Sequence, residues 1–119
     1  MDITSSDLPH ATGWEVALWL LRRRRRFRVS GESMLPLLQP GEEVLVNPAA
    51  YRQVPPAAGD IVVATHPQQP TLPIIKRVLF VAGDRCYLRG DNPAVSTDSR
   101  RFGLVPHHAI LGRVVCRFP

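Results

Sequence analysis

The stretch Leu72-Pro-Ile-Ile-Lys-Arg-Val-Leu-Phe-Val81 decides the fold of this chain of 119 residues. It is rich in β-branched and aromatic residues and therefore predicts a long strand from Pro73 to Val81. Ala82-Gly-Asp84 has the composition of a turn, and Cys86-Tyr-Leu-Arg89 follows as a second strand. The stretch thus predicts a β-hairpin, and the rest of the sheet is expected to form around it.

Lys76 interrupts this apolar stretch and is the only lysine of the chain, beside fourteen arginines. Period-two alternation places it on the same face as Ile74, Val78 and Phe80. The face that carries Arg77 is equally apolar, so alternation alone does not decide which side is buried. A buried amine would lose hydration, and its lowered pKa would make it available as a base near pH 7. The alternative is an exposed lysine whose stem covers the strand.

Ser33 lies in the turn-prone segment Ser30-Gly-Glu-Ser-Met-Leu-Pro36 and is the candidate partner of Lys76. A hydroxyl is a poor nucleophile unless a base lies within hydrogen-bond reach. Gly31 and Pro36 would shape a turn that exposes this hydroxyl, and backbone N–H groups of such a turn can donate to an oxyanion. The two residue types together indicate hydrolysis through an acylated serine.

The remaining sequence predicts short strands separated by turns and loops. Strands are expected at residues 27–30, 44–46, 61–64, 102–105 and 110–116, with a turn at 39–42 and loops at 55–60 and 93–101. The predicted fold class is mostly β, a small antiparallel barrel or sandwich with one short N-terminal helix. We expect a polar N-terminus with a short basic helix over residues 1–26 and one folded domain over residues 27–119.

The N-terminal segment combines a helix start with a block of arginines. Residues 1–11 are polar and are expected to be frayed, and Thr12 and Glu15 match a capping box. The apolar stretch at 14–21 would extend about 12 Å as a helix, too short for a bilayer core of roughly 30 Å. The block at 22–26 would suit a helix C-terminus, anionic lipid or an acidic partner. A peripheral membrane contact through the segment from Trp14 to Arg26 therefore stays an alternative.

Charge and targeting signals limit the classes of function. The net charge is +5, and without the five arginines at 22–26 it is 5 − 5 = 0, so no nucleic-acid partner is expected. Asp2 and Asp7 precede the apolar stretch and no small-residue cleavage site follows it, which excludes a secretory signal. The expected location is cytoplasmic.

Cysteine and histidine spacing gives no sign of a metal centre. Cys86 and Cys116 show no C-x-x-C spacing, and the four histidines lack the H-E-x-x-H pattern of zinc proteases. We expect the cysteines to be reduced residues of the core. No metal and no cofactor are expected.

Four ordered blocks resemble the successive boxes of type I signal peptidases. They are Ser30-Gly-Glu-Ser-Met-Leu-Pro-Leu-Leu38, Gly59-Asp-Ile-Val-Val63, Lys76-Arg-Val-Leu-Phe-Val-Ala-Gly-Asp84 and Gly90-Asp-Asn-Pro-Ala-Val-Ser-Thr-Asp-Ser-Arg-Arg-Phe-Gly-Leu-Val-Pro106. The resemblance implies the catalytic-core fold of that family. It also implies that Ser33 is the nucleophile and Lys76 the general base.

The same resemblance implies roles for residues around the pair. Ser96 would hydrogen-bond the lysine, while Asp98 and Arg100 would brace the site. Gly31 stands where some signal peptidases have a serine that helps bind the oxyanion. In this chain, oxyanion stabilisation would rest on backbone N–H groups, chiefly that of Ser33.

The compact length and the stretch at 14–28 resemble the nickel-type superoxide dismutase maturation proteases. This implies a soluble endopeptidase that removes the leader of a nickel superoxide dismutase precursor. One alternative is a signal peptidase held at the membrane by the Trp/Leu/Arg helix. A self-cleaving repressor-type peptidase would need a DNA-binding domain, for which about 26 residues are too few. A non-catalytic arginine-rich adaptor lacks the aromatic pattern of RNA-binding sheets.

Overall fold

The apolar stretch that surrounds the lysine forms the longest strand of the protein. In the computed structural model, which describes residues 8–118, strand β4 covers Gln69–Ala82 and begins before the predicted Pro73. Gly83 turns the chain with a φ of +61°, a conformation that favours glycine. Strand β5 (Arg85–Arg89) then pairs antiparallel with the second half of β4. The predicted hairpin is confirmed.

Seven strands form one sheet in the order β1-β2-β7-β3-β4-β5-β6, and all neighbours are antiparallel. The other strands are β1 (Arg25–Arg28), β2 (Glu43–Asn47), β3 (Ile61–His66), β6 (Val105–Pro106) and β7 (Ile110–Phe118). The prediction of a mostly β antiparallel fold with a short N-terminal helix is confirmed. The division of the chain at residue 26 stays a prediction.

Strand β3 is buried on both faces, which explains its unbroken apolar sequence. Ile61 and Val63 belong to one core cluster, together with residues of β2 and with Met34 and its neighbours in the loop before β2. Val62 and Ala64 point to a second cluster with residues of β4 and β5. Complete burial of each valine stabilises the fold by roughly 1.5–3 kcal/mol. The loop that carries Ser33 is thus held against the sheet through Met34.

The N-terminal helix α1 (Gly13–Leu20) has the predicted cap residue, Thr12, but only half of the predicted capping box. The Thr12 hydroxyl accepts a hydrogen bond from the Glu15 backbone N–H at 3.3 Å, whereas the Glu15 carboxylate accepts from Arg24 Nε at 2.8 Å instead of reaching back to the cap. Within residues 8–118, no helix combines the length and the apolar character that a membrane crossing requires.

The helix ends at Leu20, before the arginine block, so the arginines lie after its last turn rather than in it. Arg22 leaves the helix with a φ of +63°, and Arg25 already opens β1, two residues before the expected Phe27. The strand starts early because the Arg26 guanidinium packs over the Phe118 ring, with 4.5 Å between guanidinium carbon and ring centroid. Tertiary contacts therefore place part of the block in the sheet.

The expected fraying of the N-terminus is wrong for the part that the structure describes. The Arg117 N–H donates to the Pro9 carbonyl at 2.8 Å, and the Ala11 N–H donates to the Arg117 carbonyl at 2.8 Å. Residues 1–7, which belong to the same prediction, lie outside the described residues. Trp19 of α1 packs edge-on against Phe118 with 4.8 Å between ring centroids. The helix therefore docks on the end of β7.

The predicted loop at 93–101 contains the start of a short helix. Helix α2 covers Ser99–Phe102, and the Asp98 carboxylate caps it by accepting from the Arg100 backbone N–H at 3.1 Å. The strand expected at 102–105 is reduced to β6, and a 3-10 turn at His107–Ala109 leads into β7. Asp98, which the resemblance assigns to the site, therefore also caps helix α2.

Candidate active site

The Ser33 hydroxyl and the Lys76 amine lie in contact, with 2.9 Å between Oγ and Nζ. Lys76 is only 5% exposed, and Val78 on the same face of β4 is buried, which settles the question that alternation left open. A register shift after Val78 turns Phe80 outward, so the expectation that it shares this face is wrong. When the amine is neutral, the serine hydroxyl can donate to it across the same distance.

Burial lowers the pKa of Lys76 from its ordinary value of 10.5. The negative charge of Asp98 acts in the opposite direction, and the positive charge of Arg100 lowers the pKa further. An ammonium that loses hydration is disfavoured relative to the neutral amine. The lysine can thus act as a base at a lower pH than an exposed lysine.

Ser96 is the second partner of the lysine and links it to Asp98. The Lys76 Nζ donates to Ser96 Oγ at 3.1 Å, and this hydroxyl donates to Asp98 Oδ2 at 2.9 Å. With one N–H of the neutral amine donating to Ser96, the single lone pair of the amine can point to Ser33. The structure therefore brings together the predicted nucleophile, the predicted base and the serine next to them.

Asp98 is a buried carboxylate, 1% exposed, that several donors hold in its ionised form. Burial opposes its ionisation, but Arg100 Nε at 3.0 Å, the Gly90 N–H at 3.0 Å and the Ser96 hydroxyl bring its pKa to about 2. Arg100 also donates to the Pro93 carbonyl at 2.7 Å. The predicted Asp98–Arg100 pair thus anchors the loop that carries Ser96.

The turn before the nucleophile leaves one backbone donor open. Gly31 has a φ of +76°, which favours glycine at this position. The Ser33 backbone N–H has no hydrogen-bond partner within residues 8–118. It is the N–H group that was predicted to receive the oxyanion, and its availability fits that role.

Asn92 and Gly90 were not predicted as residues of the site. The Asn92 N–H donates to the Ser33 carbonyl at 2.8 Å, and its side chain donates to the Glu32 carbonyl at 3.1 Å. A Cβ added at Gly90 would lie 2.2 Å from Ser96 Oγ and 2.7 Å from the Ser33 carbonyl oxygen. Their sequence, Gly-Asp-Asn, is typical of a turn, and turn formation alone accounts for these residue types without any role in a site.

The Arg77–Asp91 pair holds this segment against β4. Arg77 donates to both carboxylate oxygens of Asp91 at 2.8 Å and to the Gly59 carbonyl at 3.1 Å. Alternation along β4 correctly points Arg77 away from the face of the lysine. The bidentate geometry fixes the start of the loop that reaches back to the nucleophile.

A groove of about 310 Å³ runs beside the serine and the lysine. It is lined by apolar and a few polar residues of the β1–β2 loop, β3, β4 and the loop before α2, among them Val29, Met34, His66, Leu72, Ile74 and Thr97. Strand β5 pairs with β4 only from Arg77 onward, so the β4 edge before Lys76 that faces away from β3 has no partner strand within residues 8–118. An extended peptide could pair with this edge.

The described residues contain no group of three or more His, Cys, Asp or Glu placed to hold a metal ion. Cys86 and Cys116 are free and buried, and burial raises the pKa of both thiols. Neither thiol has the lowered pKa that activates a cysteine nucleophile. Ser33 is thus the nucleophile that the geometry offers.

Comparison with known proteins agrees with this geometry. The family model described as "Signal peptidase, peptidase S26" matches residues 16–90 and 84–118. The mitochondrial ATP-independent inner membrane protease subunit 1b of Arabidopsis thaliana is 36% identical over 110 residues, which cover 73% of this chain and 65% of the relative. The mitochondrial inner membrane protease subunit 1 of Homo sapiens is 32% identical over 105 residues, covering 71% and 63%.

A bacterial relative, the signal peptidase I of Leptolyngbya laminosa, is 29% identical over 134 residues, covering 76% of this chain and 66% of the relative. The chain thus spans slightly less than two thirds of the length of these three relatives. None of the three is a nickel superoxide dismutase maturation protease, so that narrower resemblance stays a prediction. The broader resemblance is confirmed: the chain belongs to the signal peptidase family, peptidase S26.

Proposed function

We propose that this protein is a serine endopeptidase in which Ser33 is the nucleophile and Lys76 the general base. The observation that carries the proposal is the 2.9 Å contact between a loop hydroxyl and a buried amine that Ser96 also holds. Membership in a peptidase family supports it, as do the protease names of the relatives.

The geometry supports a two-step hydrolysis. The neutral Lys76 amine takes the proton of Ser33 while Oγ attacks the scissile carbonyl carbon, and the Ser33 N–H donates to the oxyanion. The resulting ammonium protonates the leaving amine, and the C–N bond breaks to leave an ester on Ser33. Lys76 then takes a proton from water, the hydroxide attacks the ester, and the proton returns to Ser33 Oγ as the acid leaves.

Asp98 would stabilise the intermediate in which Lys76 is charged. Its carboxylate is buried and linked to the amine through the Ser96 hydroxyl. A negative charge near a developing ammonium lowers the energy of the charged state, and a pre-oriented charge costs no reorganisation during the reaction. Ser96 would act as a positioning residue because it directs the amine toward Ser33.

An extended peptide chain is the substrate that the groove fits. The unpaired edge of β4 before Lys76 offers backbone donors and acceptors to an added strand. Apolar residues such as Ile74 and Leu72 line the groove and would contact small or apolar side chains of the peptide. The scissile bond would lie where this strand edge reaches the hydroxyl of Ser33.

The client that we propose is the leader of a nickel superoxide dismutase precursor, processed in the cytoplasm. The resemblance of the stretch at 14–28 to nickel-type superoxide dismutase maturation proteases supports this choice. Purified protein would be incubated with that precursor beside the Ser33→Ala and Lys76→Ala variants, and the products identified by mass spectrometry. Removal of the leader by the wild type alone is expected. An uncleaved precursor would exclude this client, and cleavage by either variant would contradict the assigned roles.

A second candidate is a signal peptidase in peripheral contact with a membrane. Trp14, Leu20 and Leu21 are 68–69% exposed, and the exposed Arg22 and Arg23 follow them directly. Indole rings, leucines and arginines together suit an anionic lipid surface. Salt-resistant flotation with anionic vesicles, combined with cleavage of a substrate after a small-x-small motif, would favour this candidate over the soluble enzyme.

A further inference from the structure

The groove beside the reacting pair carries positive charge without a compensating carboxylate. Arg28 supplies this charge, beside His66 and a Lys76 amine that is neutral when it acts as the base, and no Asp or Glu is among the lining residues within residues 8–118. Most of the other lining residues are apolar, so charge in the groove is less well screened than on an open surface. A negatively charged substrate group would be attracted to this wall.

Arg28 is the cation of this wall that is free to bind such a group. Its side chain is exposed and makes no hydrogen bond or ion pair with another described residue. It lies opposite Glu43 in the β1–β2 register, but the Glu43 carboxylate accepts from Arg26 Nη2 at 2.7 Å. Glu42 is also engaged, because it lies 3.3 Å from Arg117 Nε. Other arginines therefore hold both neighbouring carboxylates.

We propose that Arg28 is a specificity-determining residue that binds an acidic side chain of the peptide substrate. This inference rests on the proposed peptidase function. Arg28 lies five residues before Ser33, and five residues span at most about 17 Å. An extended substrate advances about 3.3 Å per residue. The acidic residue thus lies within about five positions of the scissile bond.

The side-chain chemistry at position 28 suits a carboxylate. A guanidinium presents parallel N–H donors that match the two oxygens of Asp or Glu, whereas an ammonium acts as a point charge. For a partly exposed ion pair, about fivefold in affinity is a reasonable upper expectation. The effect should weaken as salt is added.

The test uses short peptides of alanine and valine around a fixed Ala–Ala bond. A single Glu, Gln or Lys is placed in turn at each position from the second to the fifth on either side of that bond. Binding is measured by fluorescence anisotropy with the Ser33→Ala protein, so that the readout does not depend on cleavage. Wild-type protein is assayed separately for cleavage of the same peptides, and loss of cleavage with intact binding would count against the peptidase function alone.

At one position, the Glu peptide is expected to bind more tightly than the Gln peptide, by up to about fivefold. Adding Arg28→Gln should abolish this difference, and Arg28→Glu should reverse it in favour of the Lys peptide. Arg23→Gln is the matched control, since it removes another exposed arginine that does not line the groove. Equal binding of Glu and Gln peptides at every position, or an unchanged preference in Arg28→Gln, would overturn the proposal. So would an equal loss in the Arg23→Gln control.

Discussion

Among single residues, Lys76 decides the proposed mechanism through its protonation. Its amine must be neutral to accept the Ser33 proton, and burial lowers its pKa from 10.5. We therefore expect kcat/KM to rise with pH and to level off below pH 10.5. Because the Asp98 charge raises the pKa of the lysine, Asp98→Asn should move the rising limb to lower pH even as the plateau falls. Rate–pH profiles of both proteins provide the measurement, and an unmoved limb would contradict the coupling.

Ser96 offers a second test at this scale. Ser96→Ala removes the hydroxyl that contacts both Lys76 Nζ and Asp98 Oδ2. We expect kcat to fall by about 10²-fold with little change in KM, because the amine loses its orientation while the groove stays intact. Ser96→Thr keeps a hydroxyl and should restore part of the rate. Steady-state kinetics of the three proteins decide this, and an equal loss in both variants would argue against a positioning hydroxyl.

At the scale of elements, Gly90 sets how closely β5 approaches the nucleophile loop. An added Cβ would lie 2.2 Å from Ser96 Oγ and 2.7 Å from the Ser33 carbonyl oxygen, so the site must shift. Gly90→Ala should therefore lower kcat/KM by about 10²-fold and destabilise the fold by about 1–3 kcal/mol. Kinetics and urea unfolding measure the two effects.

Gly13→Ala is the matched control for this substitution. No heavy atom lies within 4 Å of a Cβ built at Gly13, which is the first residue of α1. Activity should be unchanged, and helix propensity should leave stability equal or higher by up to about 1 kcal/mol. If Gly90→Ala behaved like this control, the close approach at the end of β5 would have no functional role.

Local pattern predicts those elements whose contacts are also local. The β4–β5 hairpin follows from an apolar run and a Gly turn, and the unbroken apolar run of β3 reflects burial on both faces. The early start of β1 does not follow from local pattern, because Arg26 packs on Phe118 from the far end of the chain. The outward turn of Phe80 depends on a register shift that alternation cannot show.

Some residues of the site can be predicted from the sequence, whereas others are recognised only in the folded structure. The roles of Ser33, Lys76 and Ser96 came from a resemblance between motifs, since alternation left the buried face of β4 undecided. Asn92 and Gly90 contact the nucleophile loop from a segment far along the chain. Such contacts depend on distances between elements, which composition and spacing do not contain.

At the scale of the whole molecule, Asp98 links stability to pH. Its folded pKa of about 2 lies below the ordinary 3.8, so the folded state binds fewer protons than the unfolded state. The stabilisation, about 2 kcal/mol, is complete above pH 3.8 and is lost as pH falls toward 2. Urea unfolding across this range should show a steep loss for the wild type and a shallower one for Asp98→Asn. Equal slopes would contradict a strongly held carboxylate.

Lys76 has the opposite effect on stability, because burial lowers its pKa and charging it costs free energy. A lysine with a lowered folded pKa makes the protein less stable as pH falls below the unfolded value. Lys76→Met keeps an apolar side chain of similar length and should raise the free energy of unfolding at neutral pH by about 1 kcal/mol while abolishing cleavage. Thermal and urea unfolding measure the first effect. A destabilised Lys76→Met would mean that the hydrogen bonds of the amine outweigh its desolvation.

The most direct measurement of the central claim is the site and rate of reaction with a serine-directed acylating probe. Wild type, Ser33→Ala and Lys76→Ala would be labelled in parallel across a pH series, and the modified residue would be located by mass spectrometry. The account predicts labelling at Ser33 alone, a rate that rises with pH as Lys76 loses its proton, and no labelling of either variant. Labelling of Lys76→Ala as fast as the wild type, or labelling at another serine, would contradict it.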